Sequence, residues 1–476
     1  MQDVLFEYEM HPTTWAYLSS LLIVGIYFKF YRFWSVRNLD LIGLIFFAPG
    51  LLLLSHGREQ WGYVWLFTVG GFFLVRLLLD PVMVRRPLLE PNLSPSGLAF
   101  TGVALLVFLM TNVMTGHVAR IRLGHAPPAE PPGLEQPLGE KAQPPRDHAD
   151  GDNSPHSPGE NAEAAPDQSA EGEAGFRPSA GYPPFYRFAG PHPILSAPRR
   201  QPTAPGANTL LGTAAVRGTA VAAHLLLAVG IVLIGYRHFD NLHTGVAMAS
   251  LFLLLPYTSQ MTDRVDHVVP AALMVWAVER YRRPGVTGLL LGLAGGLVYY
   301  PLFLLPLWCA FYWRRGIVRF LLGMAIALVL LAALLVLSPP TLGTYGEQVR
   351  RMFGIMNPLE TSLVGFWAYH EEVFRIPVLA AFLALCASLA LWPAEKNLGT
   401  LLSCSAAVML GAQFWMAQHG GLYMAWYLPL LILASFRPNL EDRVALGAVT
   451  EAWYPWRRTA ARAKRGGGAS EGEKEK

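Results

Sequence analysis

Two carboxylates, a guanidinium and an imidazole fall within one short polar stretch, at Asp263, Arg264, Asp266 and His267. Paired carboxylates beside a cation and an imidazole can bind a polar substrate, hold a metal ion or act as a general base. The plainer reading is a solvated helix start, since Asp favours the positive end of a helix. Arg350 and Arg351 form a second group. A planar guanidinium fork suits phosphate, whereas headgroup contact by an interfacial helix over 345–356 would use the same residues differently. His370 and Glu371 stand next to Glu372, but without the HExxH spacing of a metalloprotease helix. His419 and Tyr423, near Gln413 and Gln418, carry imidazole, phenol and amide groups able to read sugar hydroxyls. Tyr299 and Tyr300 offer the same choice between substrate contact and a membrane-interface aromatic belt.

The elements that must position these residues are membrane helices. The chain is 53% hydrophobic and 15% charged, and its apolar runs reach about 20 residues, the length of a bilayer crossing. The expected fold is all-α, a polytopic transmembrane bundle of about 11–13 segments. A net charge of +4, with the basic residues mostly at helix ends, is a topology signal and suggests no nucleic-acid partner. Cys309, Cys386 and Cys404 all lie in apolar runs, without metal or disulfide spacing. Neither a Walker A sequence nor a strand-linked GxGxxG motif is present, so a soluble nucleotide donor is not indicated.

Basic residues orient the bundle. Acidic Asp3, Glu7 and Glu9 precede the first apolar run, and Lys29, Arg32 and Arg37 follow it. The positive-inside rule then predicts an outside N-terminus and a cytoplasmic C-terminus in a plasma membrane. Helices are expected over about 14–30, 39–54, 61–79, 97–118, 210–234, 242–257, 268–278, 317–337, 376–391, 398–416 and 422–436. Between the spans 268–278 and 317–337, Val286–Trp313 would measure roughly 42 Å as one helix, against a hydrocarbon core of about 30 Å. A hairpin of two short arms, turning at Tyr299-Tyr300-Pro301, keeps Arg282-Arg283 and Arg314-Arg315 on one side. The segment 120–206 departs from this pattern. It contains 18 of the 37 prolines, buries too little to offset its ordering entropy, and is expected to be a disordered extracytoplasmic loop. Phe185, Tyr186 and Phe188 near its end are expected to touch the membrane surface. Arg76, inside an apolar run, is either functional or a snorkelling side chain. The domain reading is 1–119 as N-terminal transmembrane helices, 120–206 as loop, 207–443 as the main transmembrane region and 444–476 as a basic cytoplasmic tail.

The order of pieces from Leu210 to Arg443 resembles the GT-C integral-membrane glycosyltransferases. These pieces are the polar loop before Asp266, the RRP turn at 282–284, GLLLGLAGG, the aromatic-Pro turn, WRRG at 313–316, Thr361-Ser362-Leu363-Val364-Gly365 and the final YMAWYLPLLILASFRP. The nearest branch resembles the polyprenyl-phosphate-mannose-dependent mannosyltransferases. The resemblance implies an inverting transfer of a sugar, mannose in that branch, from a polyprenyl-phosphate donor outside the cytoplasm. The acceptor would be a glycan, lipid or protein, with membrane lipids as surroundings and no tightly bound cofactor; a divalent metal is left open. A carboxylate would deprotonate the acceptor and cations would hold the phosphate. Asp263 and Asp266 are the candidate catalytic residues. Arg264, His267, Tyr299, Tyr300, Arg350, Arg351, His370, Glu371, His419 and Tyr423 are the candidate substrate-binding residues.

Two features depart from the family. Its first outer loop usually carries the catalytic Asp, but Asp147, Asp150, Asp152 and Asp167 here lack the surrounding motif. Val298 also precedes the aromatic pair where Lys is common. The alternatives are a non-catalytic membrane component, or a lipid or small-molecule transporter; the latter would be expected to show an internal repeat.

Overall fold

A computed structural model describes residues 12–83, 89–122, 181–189, 207–314, 316–338, 343–355, 363–393 and 396–438. The described residues form helices without a strand, apart from one isolated bridge between Val364 and Gln418. In chain order they are α1 (Pro12–Tyr27), α2 (Val36–Ile45), α3 (Phe47–Ser55), α4 (Glu59–Leu79), α5 (Pro95–Arg122), α6 (Pro183–Ala189), α7 (Ala207–His238), α8 (Leu242–Leu254) and α9 (Pro256–Gln260). Then come α10 (Val265–Glu279), α11 (Pro284–Leu297), α12 (Leu305–Tyr312), α13 (Ile317–Leu334), α14 (Tyr345–Met352), α15 (Arg375–Leu391), α16 (Leu398–Trp415) and α17 (Leu428–Ser435). Among the described residues, seven helical stretches are long and apolar enough to cross a membrane, the architecture of a multi-pass membrane protein.

Local chemistry sets several helix ends. Leu255 is extended before Pro256, as a residue preceding proline tends to be, and this separates α8 from α9. Asn241 and Asn397 cap α8 and α16 by accepting from the amides of Thr244 and Thr400. The expected helix over 422–436 begins only at Leu428, after a turn through Gly421 and a short 3₁₀ segment at Met424–Trp426. Central α16 is almost wholly buried, against α4, α12, α15 and α17. The outward faces of α5 and α13 expose Phe100, Val103, Val107, Val318, Leu322 and Val329, an apolar surface suited to lipid.

The broken hairpin forms. Val298 is extended and ends α11, and a 3₁₀ turn at Tyr300–Leu304 leads into the returning arm α12. At the base, the Tyr312 hydroxyl donates to the Tyr281 carbonyl and Gly316 lies against Pro284. Arg282-Arg283 and Arg314 therefore share one end of the bundle. With α12 returning, α13 runs parallel to α11 and packs close against it. The glycines of the GLLLGLAGG run make this possible: a Cβ at Gly288 would collide with the Phe320 carbonyl oxygen, and one at Gly292 would stand 2.8 Å from that of Met324. Small residues allow such backbone approach in membrane bundles.

Other expectations change. Within 120–206, the described part 181–189 is helical and packed, and the rest apart from 120–122 lies outside the described residues. Tyr182 donates its amide to Leu297, and Tyr186 is buried rather than lying on a membrane surface; aromatic burial at the hairpin tip outweighs the local composition. Arg76 is buried in an ion-pair network and does not snorkel. It grips Asp40 at 3.1 and 3.0 Å and reaches Asp80, which also takes Arg437 at 2.9 Å.

Glycine substitutions give a direct check on the α11–α13 contact. Gly288→Ala should lower the thermal midpoint in detergent by the equivalent of about 1–3 kcal/mol, the usual range for overpacking. Gly71→Ala, on α4 with nothing within 4 Å of a new Cβ, should leave it unchanged or raise it by about 0.5–1 kcal/mol. Equal responses at both positions would refute close packing of α11 on α13.

Candidate functional site

At the end of the bundle opposite Arg282, the polar stretch after α9 turns into α10. Asp266 lies in the first turn of α10 and is completely buried. Its Oδ2 accepts from Arg264 Nη2 at 2.6 Å, while Oδ1 is buried with no donor among the described residues. Asp263, three residues earlier, is exposed. The adjacent carboxylates thus differ in exposure: Asp263 is at the surface and Asp266 is enclosed.

His267 is oriented by residues that sequence reasoning did not single out. The Tyr257 hydroxyl accepts from the Ala425 amide at 3.1 Å and lies 2.6 Å from His267 Nδ1. Nε2 stands 3.9 Å from Asp266 Oδ2. Trp426 Nε1 donates to the Asp266 carbonyl at 3.1 Å. Trp426 also stacks on Tyr423, and Tyr423 lies against the His267 ring, both with centroids 4.5 Å apart. Tyr300 continues this aromatic layer, with its ring centroid 5.5 Å from Trp426 and 4.1 Å from stacked Tyr299.

The last loop holds His419 in the left-handed region, at φ 50°. Its amide donates to the Val364 carbonyl and its Nδ1 lies 3.1 Å from the Tyr63 hydroxyl. Gly365 permits this approach, because a Cβ there would meet the His419 backbone at 3.0 Å. Burial, followed by the nearby Arg264 cation, pushes the His419 imidazole down to about 4, with the Asp266 charge opposing. Burial and the Asp266 charge raise the Tyr423 phenol above its ordinary range, with Arg264 opposing.

The structure therefore joins Arg264, Asp266, His267, Tyr299, Tyr300, His419 and Tyr423 through one enclosed cluster. His370 and Glu371 are exposed on the neighbouring loop, and the His370 ring stacks on Phe366 rather than entering the cluster. Arg350 and Arg351 close α14 and make no ion pair among the described residues. The chain just after them, at Gly354, lies against the Tyr299 ring. Glu347 is used locally, in a capping box with Thr344, and Arg375 donates to the Trp415 carbonyl. Among the described residues, no group of His, Cys, Asp and Glu is arranged to hold a metal ion. Tyr257, Tyr63 and Trp415 carry no signal in the sequence, and Trp426 reads there as a membrane-interface aromatic. Their aromatic character alone does not separate site from belt; only contact with Asp266, His267, His419 or Tyr300 does. Comparison with protein-family models, with curated proteins and with solved structures finds no match to this chain.

Two measurements test this arrangement. Asp266→Asn should destabilise the protein by roughly 3–5 kcal/mol, because it removes the charge hydrogen-bonded to the buried Arg264 guanidinium. Adding Arg264→Gln should restore part of that loss, whereas an additive penalty would mean that the pair is not coupled. Separately, the unfolded chain protonates an imidazole below its ordinary value of about 6.5, while folded His419 stays neutral down to about 4. Its stabilising contribution is thus complete above 6.5 and is lost as pH falls toward 4, by up to about 3 kcal/mol. His419→Asn, which tolerates the left-handed backbone, should flatten the fall in thermal midpoint between pH 7 and 4.5.

Proposed function

We propose that this protein is an integral-membrane glycosyltransferase of the GT-C kind, moving a sugar from a polyprenyl-phosphate donor to a hydroxyl acceptor. The observation supporting this reading is convergence. Three pieces of the resemblance, distant in sequence, meet around Asp266: the polar loop before α10, the aromatic-Pro turn and the loop before α17. Aromatic rings stacked beside a carboxylate suit a sugar, since the rings cover its C–H faces and the carboxylate accepts its hydroxyls. Asp263 is the base in this reading, because a base must come within hydrogen-bond reach of the acceptor proton and Asp263 is the exposed carboxylate. Asp266 positions the layer beneath it. Arg350 and Arg351, without ion pairs among the described residues, hold the donor phosphate. The arginine-rich end then faces the cytoplasm of the plasma membrane and the cluster faces outward, with the N-terminus outside. Mannose is the sugar that the resembled branch suggests, and a glycan, lipid or protein supplies the acceptor hydroxyl.

A second reading, a non-catalytic membrane component, is favoured by the enclosure of Asp266, His267 and Tyr300. Transfer by the purified, reconstituted full-length chain from a panel of polyprenyl-phosphate sugars separates the two. Asp263→Asn should reduce transfer by about 10²–10⁴-fold with the thermal midpoint unchanged. Arg350→Ala with Arg351→Ala should mainly raise the donor concentration needed. Undiminished transfer by Asp263→Asn would remove it as the base, and no transfer from any donor by well-folded protein would leave the non-catalytic reading.

A further inference from the structure

A second charged site lies at the opposite end of the bundle. α7 ends at Arg237-His238, the chain turns through Asp240 at φ 53°, and α8 begins after the Asn241 cap. Beside this turn, α10 ends at Glu279 and the basic turn Arg280–Arg283 leads into α11. Together they line a cleft of about 770 Å³. Four guanidinium groups, from Arg237, Arg280, Arg282 and Arg283, face two carboxylates, from Glu279 and Asp240.

The cleft is organised by Glu279, whose side chain is 2% exposed. One oxygen accepts from Arg237 Nη1 at 2.6 Å, and the other forms an ion pair with Arg280, whose Nε is 2.6 Å away. A single buried carboxylate thus draws two guanidinium groups together. Arg280 is held through Nε, so its terminal nitrogens extend beyond that contact. Arg282 and Arg283 are exposed, and neither makes an ion pair among the described residues. The positive excess sits at the mouth. The same mouth carries exposed apolar surface: Leu242 is 53% and Tyr236 58% exposed. Cations beside an exposed tyrosine and leucine match the boundary between headgroups and hydrocarbon.

We propose that this cleft binds the phosphate of an anionic lipid headgroup, with the acyl chains passing over Leu242 and Tyr236. Arg280, Arg282 and Arg283 supply charge-assisted donors to the phosphate oxygens, and Glu279 holds Arg280 in place without neutralising the group. A soluble phosphate offers the same oxygens but cannot use the apolar rim. The site is independent of the proposed transfer reaction, being built from the other end of α10.

The test uses purified full-length protein in a neutral detergent. Binding is followed by native mass spectrometry and by the shift in thermal midpoint on adding phosphatidylglycerol, phosphatidylcholine, glycerol phosphate or inorganic phosphate. Phosphatidylglycerol should bind and stabilise more strongly than the other three. Arg282→Gln with Arg283→Gln should weaken that binding by at least about tenfold, as expected for lost hydrogen bonds between charged groups, with little change in the lipid-free midpoint. Arg58→Gln, an exposed arginine between α3 and α4, should not weaken it. Equal binding of phosphatidylcholine, or an equal loss in Arg58→Gln, would overturn a specific anionic-lipid site. Equal stabilisation by glycerol phosphate or inorganic phosphate would overturn its assignment to a lipid.

Discussion

Charge pairing inside the bundle is the constraint on which the rest of this structure depends. An ionised side chain among membrane helices is costly unless paired, and Asp80 is almost completely buried. It receives Arg76 from its own helix region and Arg437 from beyond α17, while Arg76 also grips Asp40. The Arg437 guanidinium occupies the space that a side chain at residue 399 would need, so glycine at that position admits it to the start of α16. Residues near both ends of the described chain are thereby fixed to one another. Removing one member would leave another buried charge without its full complement, which costs more than a surface pair contributes.

That anchoring reaches the opposite end through α4. Tyr63 stands thirteen residues before Arg76, about 20 Å along a helix, and meets His419 beside the Asp266 cluster. Phe67, one turn further along α4, stacks on Phe366 and lies edge-on to Phe414. The N-terminal helices therefore help to shape the candidate site although its carboxylates come from the polar loop before α10. In the same way α10 joins both charged regions, with Asp266 in its first turn and Glu279 in its last.

The two ends use paired charges differently. Around Asp266, the ion pair is enclosed by Tyr423, Trp426 and Tyr300, and hydrogen bonds from Tyr257 and Trp426 fix its surroundings. Around Glu279, the carboxylate is buried but its arginine partners open into a cleft. One arrangement gives a rigid, sheltered surface beneath an exposed Asp263. The other presents a cluster of cations from a fixed base.

Hydrophobic run length and basic flanks determine the helical membrane architecture from sequence alone, because both depend on local composition and the thickness of a bilayer. They also determine the broken hairpin: 30 residues between two basic pairs, with Pro301 and Pro306 within, do not suit one crossing. The chemistry-bearing stretch Asp263–His267 is legible for the same local reason. Sequence does not decide that Asp266 is enclosed and Asp263 open, since that depends on Trp426 and Tyr423 arriving from more than 150 residues away. It does not distinguish Arg76 as a paired residue from Arg76 as a snorkelling one, because Asp40 reaches it only through helix packing. Nor does proline content decide the state of 181–189, where the hairpin tip supplies the burial that the segment lacks by itself. Local patterns set the helices; distant contacts set the charge and solvent exposure on which the site's chemistry depends.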